Sequence, residues 1–257
     1  MPGTTAPASI GNGCVNATVA FVIDGSGSMC EPFGSSTRWT ALRGALLDKT
    51  KGLIYKLQSQ ASFGLYLYDG SLDPSLLQQG GAAASSCTSP GTRTRLNATG
   101  CEQIVEVKPA AQNAAAIDMR YPAQELGGST PTDRAMKYAV DALLKERGPS
   151  YSMDFNPQFI ILATDGAPND ICTGGTGGDG TAQQMNVIAA ADRAAQMGIK
   201  TFVISLASDP ALQAHLDLVA KHGNVSDPSA HTFSPTSSDE LVTTLTTVLR
   251  GALNCLF

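Results

Sequence analysis

Short apolar runs and longer amphipathic stretches alternate along the chain, and this pattern predicts strands separated by helices. Residues 18–23 form a continuous apolar run after Thr18, which is typical of a buried strand, whereas leucines recur near helical spacing across residues 39–57. The predicted strands cover residues 18–23, 61–68, 103–107, 158–163 and 200–206, with a short strand near 231–233. The predicted helices cover residues 39–57, 113–125, 132–147, 181–197, 210–222 and 238–253.

Strands that alternate with helices favour an α/β fold, in which a doubly wound, mainly parallel sheet carries helices on both faces as in Rossmann-like folds. The predicted strands would form one six-stranded sheet. No Pro- or Ser-rich linker divides the 257 residues, so we expect a single domain over residues 1–257. Within it we expect an N-terminal lead-in at 1–17, a Gly-, Ala-, Ser- and Thr-rich loop insertion at 70–102, and a last helix with the C-terminus at 236–257.

Composition and charge narrow the possible functions. The chain has 17 basic and 22 acidic residues and no basic run, so its charge offers no reason to expect nucleic acid as a partner. No stretch of eighteen apolar residues is present in the sequence, and we therefore expect no membrane-spanning segment. Residues 1–7 lack the basic and apolar regions of a signal peptide, so none is expected in this chain.

The first predicted strand ends in oxygen-bearing side chains that suit a hard cation. Asp24, Ser26 and Ser28 occupy alternate positions, and the intervening Gly25 and Gly27 allow the chain to bend sharply. Carboxylate and hydroxyl oxygens on one loop can therefore face a common point, as a Mg²⁺ or Ca²⁺ site requires. Taken alone, these residues could equally form a turn or cap the next helix.

Two later segments extend this pattern. Residues 127–133 read Gly-Gly-Ser-Thr-Pro-Thr-Asp, and residues 159–166 form a second apolar run that ends in Thr-Asp-Gly. Together with residues 24–28, these segments resemble the von Willebrand factor type A domain, including the inserted domains of integrins. The resemblance implies that strand 103–107 is an antiparallel edge strand. We interpret Thr132 or Asp133 as the N-cap of the helix predicted over residues 132–147. The resemblance also implies a complete metal-ion-dependent adhesion site, whose ligands are Asp24, Ser26, Ser28, Thr130 and Asp165.

The function implied by this resemblance is metal-dependent protein recognition, in adhesion or assembly at a cell surface. Mg²⁺ is the expected ion, with Mn²⁺ or Ca²⁺ also possible, and a Glu or Asp carboxylate of a protein partner would complete its coordination. Two alternatives stay open: a structural extracellular domain whose metal only stabilises the loops, and a non-catalytic subunit of a metal-dependent enzyme complex. We expect no catalytic residues, because the site segments contain no His, Cys-His or Ser-His arrangement that could act as base or nucleophile.

Residues beside the expected ligands are candidates for a rim that contacts the partner. Each lies within a few positions of one of the three site segments, in the loops that would surround the cation. Side chains around a binding site commonly determine specificity. The candidate rim residues are Glu31, Arg38, Trp39, Ser129, Asn169 and Asp170.

Six cysteines without any Cys-x-x-Cys pair favour disulfides and an oxidising compartment over a zinc site. The candidate pairs are Cys87 with Cys101, Cys14 with Cys255, and Cys30 with Cys172. The first pair shares the 70–102 insertion, and the second follows from the resemblance, because the chain ends approach each other in that family. The third would bridge two site loops, unless both residues are buried thiols. The expected location is therefore extracellular, at the cell surface, or periplasmic.

Overall fold

The computed structural model describes residues 17–69, 103–126, 129–149, 151–169 and 180–254. In chain order, the strands are β1 (Ala17–Asp24), β2 (Pro32–Phe33), β3 (Ser36–Thr37), β4 (Ala61–Asp69), β5 (Gln103–Ala110), β6 (Gln158–Thr164) and β7 (Ile199–Ser205). The helices are α1 (Arg38–Leu47), α2 (Leu53–Leu57), α3 (Ala114–Arg120), α4 (Thr132–Lys145), α5 (Thr181–Gln196), α6 (Pro210–Gly223) and α7 (Ser238–Asn254). A 3₁₀ turn covers Gly27–Cys30, and none of the described helices is long and apolar enough to cross a membrane.

A sheet of five strands, in the order β5-β4-β1-β6-β7, forms the centre of the described fold. β1 pairs in parallel with both β4 and β6, and β6 pairs in parallel with β7. β5 lies antiparallel to β4 at one edge of the sheet. The predicted α/β class, the mainly parallel sheet and the antiparallel edge strand are therefore confirmed.

Helices cover both faces of the sheet and create two hydrophobic cores. Phe21 and Ile23 of β1 belong to the core beneath α1, α2, α3 and α7. Ala20 and Val22 point to the opposite face and join the core formed with α4, α5 and α6. A strand that is buried on both faces reads as a continuous apolar run, which explains why the sequence pattern located β1 so closely.

The sixth predicted strand, near residues 231–233, does not form, so the expected six-stranded sheet is wrong for the described residues. Phe233 makes an isolated parallel bridge opposite Ile204 of β7. Its N–H donates to the Val203 carbonyl (2.9 Å), and its carbonyl accepts from the Ser205 N–H (2.8 Å). Pro235 follows two residues later and has no N–H with which to continue a ladder. The segment therefore touches the sheet at a single position.

The helix predicted over residues 39–57 is instead two helices, α1 and α2, joined by a turn. The carboxylate of Asp48 accepts hydrogen bonds from the backbone N–H groups of Thr50 (2.9 Å) and Lys51 (2.7 Å). These bonds offer the backbone an alternative to helical pairing. Gly52 then donates its N–H to the Asp48 carbonyl (2.7 Å) immediately before α2 begins.

The carboxyl ends of the neighbouring strands β1, β4 and β6 meet at one edge of the sheet. Asp24 is the last residue of β1, and Asp165 directly follows β6. The segment that contains Thr130 enters α4 beside them. In open α/β sheets, the crevice beyond the carboxyl ends of the strands is where ligands bind.

Candidate metal centre

Asp24 is completely buried at the end of β1. Its Oδ2 accepts a hydrogen bond from Thr164 Oγ1 (2.7 Å), and its Oδ1 accepts one from the Ser26 N–H (2.9 Å). Both of these donors are neutral. Among the described residues, the charge of Asp24 is therefore met by dipoles and not by a cationic side chain, which is costly for a buried carboxylate.

Two serine hydroxyls connect the first site loop to Asp165. Ser26 Oγ lies 3.1 Å from Ser28 Oγ, and Ser28 Oγ donates a hydrogen bond to Asp165 Oδ1 (2.7 Å). The Asp165 side chain is wholly buried as well. Two hydroxyls and two buried carboxylates thus gather beyond β1 and β6, and such oxygens are the donors that Mg²⁺, Mn²⁺ and Ca²⁺ prefer.

Thr130 approaches the same group from the segment that precedes α4. A methyl group built on Gly166 would lie 3.5 Å from Thr130 Oγ1 and 3.9 Å from Ser28 Oγ, so both hydroxyls lie beside Gly166. The backbone of Thr130 is held by Asn169: the Thr130 N–H donates to Asn169 Oδ1 (3.1 Å), and the Asn169 N–H donates to the Thr130 carbonyl (2.9 Å). The structure therefore brings all five predicted ligand residues to one edge of the sheet.

Thr132 does not have the role predicted for it. The N-cap of α4 is Pro131, without a side-chain capping bond, so the expectation that Thr132 or Asp133 caps this helix is wrong. Thr132 is instead the first helical residue, and its Oγ1 lies 3.0 Å from the Tyr68 hydroxyl. Tyr68 is fully buried at the end of β4, where a hydroxyl group needs a partner.

The guanidinium of Arg38 lies beside Asp165. Its Nη1 is 2.8 Å from Asp165 Oδ2 and 2.8 Å from Glu31 Oε2, and it also donates to the Ser28 carbonyl (3.3 Å). The Arg38 side chain is 14% exposed, whereas the Glu31 side chain is 55% exposed. Asp165 therefore has a positive partner, while Asp24 has none among the residues that the structure describes.

Burial raises the pKa of Asp24 from 3.8 to about 7, and repulsion from Asp165 adds to the rise. Burial also raises the pKa of Asp165, although the Ser28 hydroxyl and the Arg38 guanidinium oppose the shift. Ionisation of both carboxyl groups is thus unfavourable without further positive charge, which a divalent cation would supply. No group of three or more His, Cys, Asp or Glu side chains gathers in the described part of the chain, so such a cation would also need the hydroxyl oxygens.

The candidate rim residues lie in different environments. Glu31 and Asn169 are exposed, and Arg38 is partly exposed. Ser129 is only 7% exposed, which leaves it little surface for a partner. Asp170 lies outside the described residues.

Trp39 lies inside the molecule, so its predicted position on the rim is wrong. The side chain is fully buried, its ring centroid lies 4.5 Å from that of Tyr121, and its Nε1 donates to the Pro122 carbonyl (3.0 Å). α1 directs its apolar face to the sheet, so the large indole ring fills the core. The neighbouring Arg38 faces the site instead.

Cys30 is the one cysteine within the described residues, and it is disulfide-bonded. It ends the 3₁₀ turn that carries Ser28. Its bonding partner and the other candidate cysteines lie outside the described residues, as does the 70–102 insertion. The proposed pairings therefore stay predictions.

Two residues important to the site escaped the sequence predictions. Thr164 donates to Asp24, and Tyr68 contacts Thr132. A threonine at the end of the otherwise apolar run of β6 was the available signal for Thr164. Arg38 was predicted as a rim residue, but its ion pair with Asp165 joins positions 127 residues apart, which local patterns do not reveal.

The doubly wound sheet defines an α/β domain in which carboxylates and hydroxyls gather beyond the strand ends, the position at which open α/β sheets bind ligands. A family model described as the von Willebrand factor type A domain matches residues 106–247, more than half of the chain. The chain therefore belongs to the von Willebrand factor type A domain family. The matched range contains Thr130 and Asp165 and begins after the loop of Asp24. No curated protein sequence matches the chain.

Solved structures share the fold at low sequence identity. The PilB minor pilin from Streptococcus sanguinis superposes with a TM-score of 0.60 and 17% identity over 95% of this chain and 63% of that one. The pilus adhesin SpaC from Lactobacillus rhamnosus GG gives 0.57 and 14%, over 93% of this chain and 30% of SpaC. Proximal thread matrix protein 1 from the mussel byssus, with a zinc-occupied adhesion motif, gives 0.52 and 14%, over 95% and 47%. The chain spans less than two thirds of the length of each of these proteins.

Proposed function

We propose that this domain binds a protein partner through a divalent cation held by Asp24, Ser26, Ser28, Thr130 and Asp165. The expected ion is Mg²⁺, with Mn²⁺ or Ca²⁺ as alternatives, and it would offer a coordination position to a Glu or Asp carboxylate of the partner. The residues of this chain contribute two buried carboxylates and three hydroxyls. We propose a role in binding and none in catalysis.

The burial of Asp24 is the observation that carries this function. A carboxylate with 0% exposure and two neutral donors is unfavourable as an anion, and burial accordingly raises its pKa. Three hydroxyl-bearing residues and a second buried carboxylate lie at the same edge of the sheet. A hard divalent cation matches both the charge deficit and the type of donor.

The structural neighbours support adhesion or assembly as the setting. One is a pilus adhesin, one is a minor pilin, and the byssus protein carries zinc in its adhesion motif. On the basis of these neighbours, we propose an extracellular or cell-surface location for this domain, which agrees with the disulfide at Cys30. The three predicted disulfides belong to the same proposal.

Calorimetric titration of chelator-stripped protein with Mg²⁺, Mn²⁺ and Ca²⁺ tests the cation site. We expect one saturable site, whose affinity falls roughly 100-fold or more in Asp24→Asn, because that change removes a ligand charge while it preserves shape. Asp141→Asn is the matched control, since Asp141 is a half-exposed carboxylate on α4 paired with Arg193. Equal binding by wild type and Asp24→Asn would contradict the proposed site.

Partner binding separates recognition from a purely structural use of the cation. Binding of a genuine partner should be lost on chelation, restored by Mg²⁺, and absent with Asp24→Asn. An amide substitution at one acidic residue of the partner should have the same effect. A partner that binds equally with and without chelator would favour the alternative in which the cation only stabilises the loops.

A further inference from the structure

Arg38 places a fixed positive charge where the site would hold a cation. Its Nη1 lies 2.8 Å from Asp165 Oδ2, and the remaining Asp165 oxygen accepts the Ser28 hydroxyl (2.7 Å). Both oxygens of Asp165 are therefore already engaged. Of the two negative charges that the site offers, Arg38 neutralises one.

We propose that Arg38 competes with the divalent cation for Asp165 and lowers the cation affinity of the site, and that Glu31 moderates this competition by drawing the guanidinium outward. This inference rests on the proposed cation-dependent function and concerns its regulation. A monovalent charge so close to a divalent ion repels it strongly in a partly buried site, where solvent and salt screen the interaction weakly. Arg38 thus sets the concentration of cation at which the domain becomes able to bind.

The contacts of Arg38 allow it to change partners. It reaches Asp165 through Nη1 alone, without the paired contact that makes an arginine–carboxylate bond strong. Its Nε is buried and has no hydrogen-bond partner in the described part of the structure. Glu31 Oε2, on an exposed side chain, already lies 2.8 Å from the same Nη1, so the guanidinium keeps a carboxylate partner when a cation takes its place at Asp165.

Calorimetric titration of the full chain with Mn²⁺ tests the competition directly. We expect Arg38→Gln to bind Mn²⁺ at least about tenfold more tightly than wild type, because it removes the repulsive charge. Arg38→Lys retains the charge and should stay close to wild type. Glu31→Gln should bind Mn²⁺ several-fold more weakly than wild type. In the Arg38→Gln background, the same Glu31 substitution should leave the Mn²⁺ affinity unchanged, and a double-mutant cycle measures this difference.

Thermal melting provides a readout that is independent of titration. In chelator, Arg38→Gln should melt at a lower temperature than wild type, since Asp165 loses its counter-ion. Saturating Mn²⁺ should then raise its melting temperature by more than it raises that of wild type. If Arg38→Gln fails to fold without cation, titration of Glu31→Gln still tests the moderating role of Glu31, and Mn²⁺ binding equal to that of wild type would refute that role.

The outcomes separate this inference from the proposed function. If wild type binds Mn²⁺ and Arg38→Gln binds it equally or more weakly, the competition is refuted while the cation site stands. If only Arg38→Gln binds, the competition is supported in its strongest form, and cation-dependent binding by the natural chain is refuted. Absence of Mn²⁺ binding in every variant would overturn both.

Discussion

At the scale of single residues, buried hydroxyls shape the site as much as carboxylates do. Thr164 Oγ1 donates to Asp24 Oδ2 over 2.7 Å. Thr201 of β7 is as deeply buried, yet its Oγ1 has no hydrogen-bond partner within the described residues. Hydrogen bonds to a charged group contribute more to stability than those between neutral groups. The two threonines therefore allow a direct comparison.

Replacement of Thr164 by valine is expected to lower the free energy of unfolding by about 1–3 kcal/mol, because Asp24 loses a donor that it cannot replace with water. Thr201→Val, the matched control, should change it by less than about 0.5 kcal/mol or stabilise slightly, because it removes an unpaired polar atom. Urea unfolding in chelator measures both. Equal decreases in the free energy of unfolding of the two variants would contradict a specific contribution of the hydrogen bond from Thr164 to Asp24.

At the scale of elements, Gly52 explains why one predicted helix became two. A Cβ at this position would lie 2.6 Å from Asp48 N and 2.8 Å from Leu46 O, closer than real Cβ atoms approach. The close turn between α1 and α2 therefore requires glycine. Gly44, in the middle of α1, has open space around it instead, because apart from the backbone of its own helix no described atom lies within 4 Å of a built Cβ.

Gly52→Ala is expected to destabilise the protein by about 1–3 kcal/mol, because the new methyl group forces the backbone of the turn apart. Gly44→Ala should stabilise it by about 0.5–1 kcal/mol through higher helix propensity at a position without steric conflict. Urea or thermal unfolding of the two variants provides the comparison. A stabilising Gly52→Ala would show that the turn can open without cost.

At the scale of the whole molecule, the site couples folding to protons and cations. The two hydrophobic cores hold β1 and β6 together, so Asp24 and Asp165 stay buried side by side in the folded state. Asp24 has a pKa near 7 when folded and its ordinary value of 3.8 when unfolded. The folded protein therefore binds a proton more tightly than the unfolded chain between these two values.

In chelator, the melting temperature should fall as pH rises from about 5 to about 7.5. Above that range, ionisation of Asp24 should cause no further change. Each unit of pKa difference corresponds to about 1.4 kcal/mol, or roughly 3–5 °C for a domain of this size. Mg²⁺ should reduce or reverse the decline, since it favours the ionised carboxylate. In Asp24→Asn, the melting temperature should lack the part of the pH dependence that comes from Asp24 and should not respond to Mg²⁺. Scanning calorimetry across pH, with and without Mg²⁺, measures both effects. A wild-type melting temperature that rises through this window in chelator would contradict the assignment.

Local patterns and the family resemblance were enough to predict the class of fold and the five candidate ligands, although Thr164 and Tyr68 were missed. Alternation of apolar runs with amphipathic stretches located each strand of the central sheet, because burial on one or both faces leaves a local pattern. The same holds for Asp24 and Asp165, which end apolar runs where parallel strands share one edge. The order of apolar and polar side chains within a segment can be interpreted from the sequence alone, without knowledge of the fold.

Features that depend on distant neighbours became visible only in the three-dimensional arrangement. Residues 231–233 would form a strand only if they paired with β7 at several successive positions, and they pair with it only through the bridge at Phe233. Trp39 and Arg38 are adjacent in sequence, yet one fills the core and the other pairs with Asp165, 127 residues away. The physical reason is that burial and charge pairing depend on the side chains of neighbouring elements, which come from distant parts of the sequence. A pattern along the sequence contains only the neighbours along the chain.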